Sequence, residues 1–258
     1  MTNFAQNLFS GSMSILSSLA LLLMMRFPGR VIFFLVLIIW FMVLTAGERY
    51  ARRKRKDTQT ILPILLITVF SFVSLVSIVE WNLLRRPLIG LLGILIFLLF
   101  QSIVTDNESF LRIQQKPYRR IMVLIWSFNA FAITTALFAL SLFFPAIPFW
   151  FVTVAGGIIF GFISFMIWRM YFQLQMKQSA IWIFLIVFLM VELIWSMHFL
   201  PFGYLVSGFF ITWFWYLLQL LIRFHFGSKD VIWRKQVWFL ISNAILLAIL
   251  MIFFVRWV

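Results

Sequence analysis

Residues 30–56 read RVIFFLVLIIWFMVLTAGERYARRKRK, and this stretch decides the fold class. It opens with an apolar run over 31–46, close to the roughly 20 residues with which an α-helix crosses about 30 Å of hydrocarbon. Six basic residues then lie between Arg49 and Lys56. Loops rich in Lys and Arg stay on the cytoplasmic side of a membrane. The stretch therefore predicts a transmembrane helix that ends at the cytoplasmic surface.

The composition of the whole chain also indicates a membrane protein. Of its 258 residues, 64% are hydrophobic and only 11% are charged, whereas soluble domains are about 45–50% apolar and about 25% charged. A soluble fold is therefore excluded. The net charge of +14 does not predict a nucleic-acid partner, because the basic residues flank apolar segments as membrane topology requires.

Working outward from the opening stretch, eight other apolar segments are separated by short loops. The pattern predicts an all-α polytopic transmembrane helical bundle of sequential antiparallel hairpins. Its N-terminus is expected in the cytoplasm and its C-terminus outside. Serines dilute the first segment, so an alternative with eight spans leaves that segment in the interface. The nine predicted spans are 8–27, 31–46, 61–80, 88–105, 121–144, 149–170, 179–200, 204–224 and 237–256.

The distribution of Lys and Arg sets the predicted orientation. Of the 21 basic residues, 16 fall on the cytoplasmic side. The chain is expected to form a single integral membrane domain over 1–258, with cytoplasmic loops at 47–60 and 106–120. Its short loops and lack of cysteine favour a bacterial cytoplasmic membrane. The five basic residues predicted outside are Arg26, Arg30, Arg85, Arg86 and Arg256.

Prolines at four of the predicted external turns recur at a nearly constant interval. Pro28, Pro87, Pro145 and Pro201 are 56 to 59 residues apart. This spacing fits a duplicated helical hairpin of about 57 residues. The alternative is that two spans with their loops occupy this length in any case, and that turns favour proline.

Small residues predict where helices approach each other. In lipid, burial of apolar surface gives helices little reason to associate, so close backbone packing and interhelical hydrogen bonds take over. Gly157 and Gly161 are four residues apart in the sixth span, and Ser14 and Ser18 have the same spacing in the first. Both pairs predict helix contacts.

Glu192 is the most informative polar residue, because it lies near the middle of the seventh span. A charge at such a depth costs about 2.5–3.5 kcal/mol on insertion scales and by default indicates a functional site. Trp195 and Ser196 share its helix face at i+3 and i+4, and Asn129 is a possible hydrogen-bonding partner from another span. The candidate intramembrane ligand or proton site therefore comprises Glu192, Trp195, Ser196 and Asn129. The alternative is a glutamic acid that only joins two helices.

Two further candidate sites lie at the predicted membrane surfaces, each with a simpler alternative. The external group could form a polar vestibule or bind an anionic headgroup; the alternative is solvated residues with no shared task. The cytoplasmic run could bind anionic inner-leaflet lipids or only fix the topology. The external candidates are Glu80, Arg85, Arg86 and His198, and the lipid candidates are Arg52, Arg53, Lys54, Arg55 and Lys56.

The sequence contains no motif that indicates catalysis, so an enzyme is not expected and no cofactor or metal site is predicted. The favoured function is a channel, permease or lipid- or small-ligand-handling protein that uses Glu192. The alternative is a non-catalytic scaffold or accessory subunit of a membrane-protein complex. The expected partners are membrane lipids and a membrane protein.

Overall fold

The computed structural model describes residues 3–27, 29–52, 61–79, 82–104, 116–172, 176–200, 202–226 and 233–254. Nine α-helices include nearly all of these residues, and no strand occurs among them. The predicted helical bundle is therefore confirmed. The helices are α1 (Asn3–Arg26), α2 (Arg30–Arg52), α3 (Leu62–Ile78), α4 (Asn82–Val104), α5 (Lys116–Phe143), α6 (Phe149–Phe172), α7 (Met176–His198), α8 (Tyr204–Phe226) and α9 (Trp233–Phe254).

Within the described ranges, seven helices are long and apolar enough to cross a membrane. The chain is therefore a multi-pass membrane protein. Shorter apolar stretches, Leu62–Ile78 and Leu240–Ile249, lie in α3 and α9. α1 belongs to the seven despite its serines. Ser12 and Ser17 each donate to a carbonyl oxygen of their own helix at 2.8 Å, so these hydroxyls need no water.

The helices cluster into two compact units, Met1–Ala132 and Ile133–Val258, and α5 contributes to both. The single domain and the hairpin repeat expected from the sequence stay predictions. Of the two predicted cytoplasmic loops, residues 53–60 and 105–115 lie outside the described residues. Residues 47–52 belong to α2, and residues 116–120 belong to α5.

In the first unit, α1 packs closely against α4. Ser14 Oγ donates to the carbonyl oxygen of Gly93 at 2.7 Å, and Ser18 Oγ donates to that of Ile89 at 3.4 Å. A Cβ atom on Gly93 would lie 2.7 Å from the Ser18 hydroxyl, so a side chain there would push the two helices apart. The helix contact predicted from Ser14 and Ser18 is thus confirmed.

α3 is the most enclosed helix of the first unit. Leu65, Val69 and Phe72 are fully buried, and Phe70 is its one exposed large side chain among the described residues. The Phe72 ring lies 4.8 Å from the Phe128 ring of α5, measured between centroids. Neighbouring helices therefore cover most of the surface of this 17-residue helix, which explains why a short apolar helix is stable here.

In the second unit, glycines let α6 approach α7. Cβ atoms on Gly157 and Gly161 would lie 2.5 Å from the side chains of Val191 and Val187, respectively. The adjacent Gly156 faces Ile194 in the same way. The helix contact predicted from Gly157 and Gly161 is confirmed, and its partner is α7.

One sequence prediction about turns is wrong. The sequence predicts Pro87 at an external turn, but it lies inside α4, which begins at Asn82. Pro87 is the sixth residue of α4, and proline has no N–H to donate to the carbonyl four residues earlier. Only the carbonyl of Leu83 loses its helical hydrogen bond, and Leu83 lies at the very start of the helix. The turn instead precedes α4, and Arg85 Nε donates to the carbonyl oxygen of Val79, just after α3.

Candidate functional site

Glu192 lies on the side of α7 that faces away from α6. The opposite side of α7 is buried, because Ile186, Met190 and Ile194 are at most 1% exposed. Since successive residues of an α-helix are 100° apart, Glu192 is turned by roughly 160° from Met190. The structure accordingly leaves Glu192 exposed on the surface of the unit.

The exposed side of α7 is otherwise large and aromatic, and we refer to it as the α7 outer face. Trp195 is 45% exposed and Phe199 is 71% exposed, and Ser196 is exposed beside them. Glu192, Trp195 and Ser196 are thus exposed on one face of α7. The α7 outer face comprises Ile181, Phe184, Phe188, Glu192, Trp195 and Phe199.

Within the described part of the chain, no side chain donates a hydrogen bond to the Glu192 carboxyl. The backbone oxygen of Glu192 accepts a hydrogen bond of 2.8 Å from Ser196 Oγ. The nearer helix end, at His198, is six residues or about 9 Å away along the axis. Helical Cβ atoms tilt towards the N-terminus, so the Glu192 side chain leans away from that end. The carboxyl therefore does not readily reach water.

Asn129, the predicted hydrogen-bonding candidate, lies in the first unit and is fully buried in α5. Its Nδ2 donates to Thr68 Oγ1 at 2.9 Å, and that hydroxyl donates to the carbonyl oxygen of Ile64 at 2.6 Å. Asn129 Oδ1 is buried without a hydrogen-bond partner among the described residues. Glu192 belongs to the second unit.

Of the predicted external residues, Arg85 and Arg86 belong to the first unit and His198 belongs to the second. Arg85 closes the turn before α4, as described above, and Arg86 is exposed on α4. His198 stacks on Phe149 of the second unit, with ring centroids 3.8 Å apart and planes 19° apart. Glu80 lies outside the described residues.

Of the predicted lipid-binding run, the structure describes Arg52 and not residues 53–56. Arg52 Nη1 lies 3.5 Å from Glu48 Oε1, one helical turn away. The Glu48 side chain is 3% exposed and that of Arg52 is 40% exposed. Glu48 is not among the residues predicted from the sequence, although its four-residue spacing from an arginine is a signal for this ion pair.

The sequence analysis also missed a buried polar group between α6 and α8. Ser164 Oγ accepts hydrogen bonds from Trp215 Nε1, at 2.9 Å, and from Gln219 Nε2. It donates its own proton to the carbonyl oxygen of Phe160 at 2.6 Å. One hydroxyl thus holds two side chains of a neighbouring helix.

No group of three or more His, Cys, Asp or Glu side chains that could hold a metal ion occurs within the described ranges. Neither a protein-family model, nor a curated protein, nor a solved structure matches the chain.

Proposed function

We propose that the protein is a non-catalytic subunit of a membrane-protein complex, and that its α7 outer face docks a transmembrane helix of another protein. The single observation behind the proposal is the position of Glu192. This acid lies near the middle of a candidate span, on the side of α7 away from α6, and is exposed on the surface of its unit.

A partner helix would meet a requirement that lipid does not meet. A charged side chain in the central part of a span costs about 2.5–3.5 kcal/mol on insertion scales, and acyl chains offer no hydrogen bond. A Lys, Arg, Asn or Gln at the same depth of a partner would donate to the Glu192 carboxyl. Phe188 and Trp195, which flank Glu192 and are 50% and 45% exposed, would pack against the same helix.

A second copy of this chain fits the α7 outer face less well. Symmetric pairing brings identical patches together, so two Glu192 carboxyls would meet at the same depth. The Lys and Arg residues of the sequence lie near the ends of its spans. This chain therefore supplies no cation at the depth of Glu192, and the complementary residue belongs to a different protein.

Photocrosslinking tests the proposal. We expect a benzophenone-bearing residue in place of Phe188 to form an adduct with a second membrane protein. We expect Glu192→Leu to reduce that adduct about 3- to 30-fold, because an interhelical hydrogen bond in membranes contributes about 0.6–2 kcal/mol. Glu192→Gln should have a smaller effect, since the amide still forms hydrogen bonds. The measurement is adduct yield in intact membranes.

The matched control places the same crosslinker at Phe34 of α2, which is 59% exposed, and should give no such adduct. Mass spectrometry identifies the partner, and its donor residue is then replaced by leucine. In a double-mutant cycle, that change should not reduce the adduct yield of the Glu192→Leu protein any further. Equal adducts at both positions, an adduct of two copies of this chain, or no response to Glu192→Leu would each refute the proposal.

A channel, permease or small-ligand-handling role is the second candidate function. The observation that favours it is the buried Asn129 Oδ1, which has no hydrogen-bond partner within the described residues. Leaving such a group unmatched costs about 1–3 kcal/mol. A small polar molecule that donates a hydrogen bond in the first unit would remove this cost.

Liposome swelling tests the second candidate, with water, urea and glycerol as probes. If Asn129 serves permeation, the protein should raise the swelling rate above that of empty liposomes, and Asn129→Leu should abolish the increase. The free energy of unfolding of the Asn129→Leu variant should differ from that of the natural protein by less than about 1 kcal/mol. The variant loses the hydrogen bond to Thr68, but it also loses the buried oxygen that has no hydrogen-bond partner. Glu192→Gln in the same assay tests the predicted acid site. Swelling no faster than in empty liposomes would rule out permeation of these probes.

A further inference from the structure

Four arginines lie at the same end of the first unit, and we call them the arginine cluster. Two hydrogen bonds fix the register of α1 against α4: Ser14 bonds to Gly93, and Asn7 bonds to Gln101. From Ser14 back to Asn7 is seven residues along α1, and from Gly93 forward to Gln101 is eight residues along α4. The two helices are therefore antiparallel. The end of α1 is therefore level with the start of α4. The cluster comprises Arg26, Arg30, Arg85 and Arg86.

α2 brings Arg30 to the same level. α2 is antiparallel to α1 across a short hairpin, so it runs parallel to α4. A Cβ atom on Gly47 would lie 3.4 Å from the ring of Phe100, which places these two residues at one depth. Arg30 and Leu83 each precede that pair by 17 residues. Arg30 is thus within three residues, or about 5 Å along the axis, of Arg85 and Arg86.

The cluster has a surplus of positive charge. Arg26, Arg30 and Arg86 are exposed, and no ion pair involves them within the described residues. The sequence brings one acid near this end, Glu80, which lies outside the described residues. Even one ion pair with Glu80 would leave three positive charges.

The residue type is also informative. All five basic residues predicted on this side of the membrane are arginine, and all six lysines of the chain are predicted on the other side. A guanidinium group presents a planar fork of donors that matches phosphate oxygens, whereas an ammonium group is a compact point charge. Topology alone disfavours basic residues on this side, so their presence calls for another cause.

We propose that the arginine cluster binds the phosphate of an anionic phospholipid in the adjoining leaflet. The end of α1 and the starts of α2 and α4 coincide with the ends of candidate spans, which is the depth of lipid headgroups. The occupant is a phospholipid because its acyl chains lie beside the exposed apolar surface one helical turn deeper than the cluster, where Leu22 and Phe34 are 45% and 59% exposed.

The test compares the full-length protein with its Arg26→Gln/Arg30→Gln/Arg86→Gln variant in nanodiscs of phosphatidylcholine and phosphatidylglycerol. Arg85 is kept, because it closes the turn before α4. We expect the apparent affinity for phosphatidylglycerol to fall roughly 100-fold, because each arginine near an anionic surface contributes a factor of about five. Native mass spectrometry counts the bound lipids.

The matched control removes three exposed arginines that the sequence predicts on the other side of the membrane, Arg49→Gln/Arg120→Gln/Arg169→Gln. This triple variant should lose much less phosphatidylglycerol. Replacing the cluster arginines by lysine keeps the charge and should cause an intermediate loss. Equal loss in the control triple, or unchanged lipid in the cluster triple, overturns the proposal. Displacement of the lipid by inorganic phosphate at comparable concentration overturns the lipid assignment in favour of a soluble phosphate.

Discussion

The Gly208→Ala variant is expected to be markedly less stable to heat than the natural protein. A Cβ atom on Gly208 would overlap the hydroxyl of Thr135 and would lie 2.9 Å and 3.0 Å from the backbone N and Cα of Thr135. The hydroxyl can rotate away, but the backbone of α5 cannot move without shifting the helix. Overpacking of this kind costs about 1–3 kcal/mol, or roughly 2–12 °C in the midpoint of thermal unfolding.

Gly90→Ala is the matched control for this substitution. Gly90 also lies in a helix, but a Cβ atom there would have no neighbour within 4 Å. Alanine should therefore stabilise α4 by about 0.5–1 kcal/mol relative to glycine. Thermal unfolding in one detergent compares the two variants. Equal midpoints would show that α5 and α8 do not approach each other at Gly208.

Ser164→Ala should lower the stability of the second unit by about 1–4 kcal/mol. The substitution removes the acceptor for Trp215 Nε1 and Gln219 Nε2, which lie on side chains that are 0% and 7% exposed. In soluble proteins, each buried donor without a partner costs about 1–3 kcal/mol. In membranes the cost is smaller, because measured interhelical hydrogen bonds average about 0.6 kcal/mol. Thermal unfolding in detergent measures the effect.

Ser242→Ala serves as the control, because Ser242 is exposed and donates only to the carbonyl oxygen of Trp238 in its own helix. We expect it to change stability by less than about 0.5 kcal/mol. Ser164→Thr, which keeps the hydroxyl, should retain more stability than Ser164→Ala. If all three variants unfold at the natural midpoint, the hydroxyl of Ser164 does not hold α8.

Hydropathy was sufficient to predict the number and the approximate positions of the helices, because the length of a span is set by the thickness of the hydrocarbon. It was less informative about where they end. The apolar run of the second span stops at residue 46, whereas α2 continues to Arg52. The backbone hydrogen bonds of a helix continue into the interface, and the Glu48–Arg52 pair occupies that last turn.

The residues of the candidate site could be named from the sequence, but the direction in which their helix face points could not. Glu192 was evident as an acid in an apolar span, and helical spacing gave the residues that share its face. Which way that face points depends on α6, whose glycines accept Val187 and Val191 and so turn Glu192 outward. The bond from Asn129 to Thr68 joins residues 61 positions apart, a pairing that one sequence does not encode locally.

The contact between α1 and α4 forms late in biosynthesis, because the two helices are far apart in the chain. Ser14 and Gly93 are 79 residues apart in the chain, and a ribosome adds about 5–20 residues per second. In the nascent chain, α1 therefore waits roughly 4–16 s for α4, on which it packs. During that interval the hydroxyls of Ser14 and Ser18 lack their acceptors on α4, which leaves this side of α1 accessible to insertases and quality-control proteases.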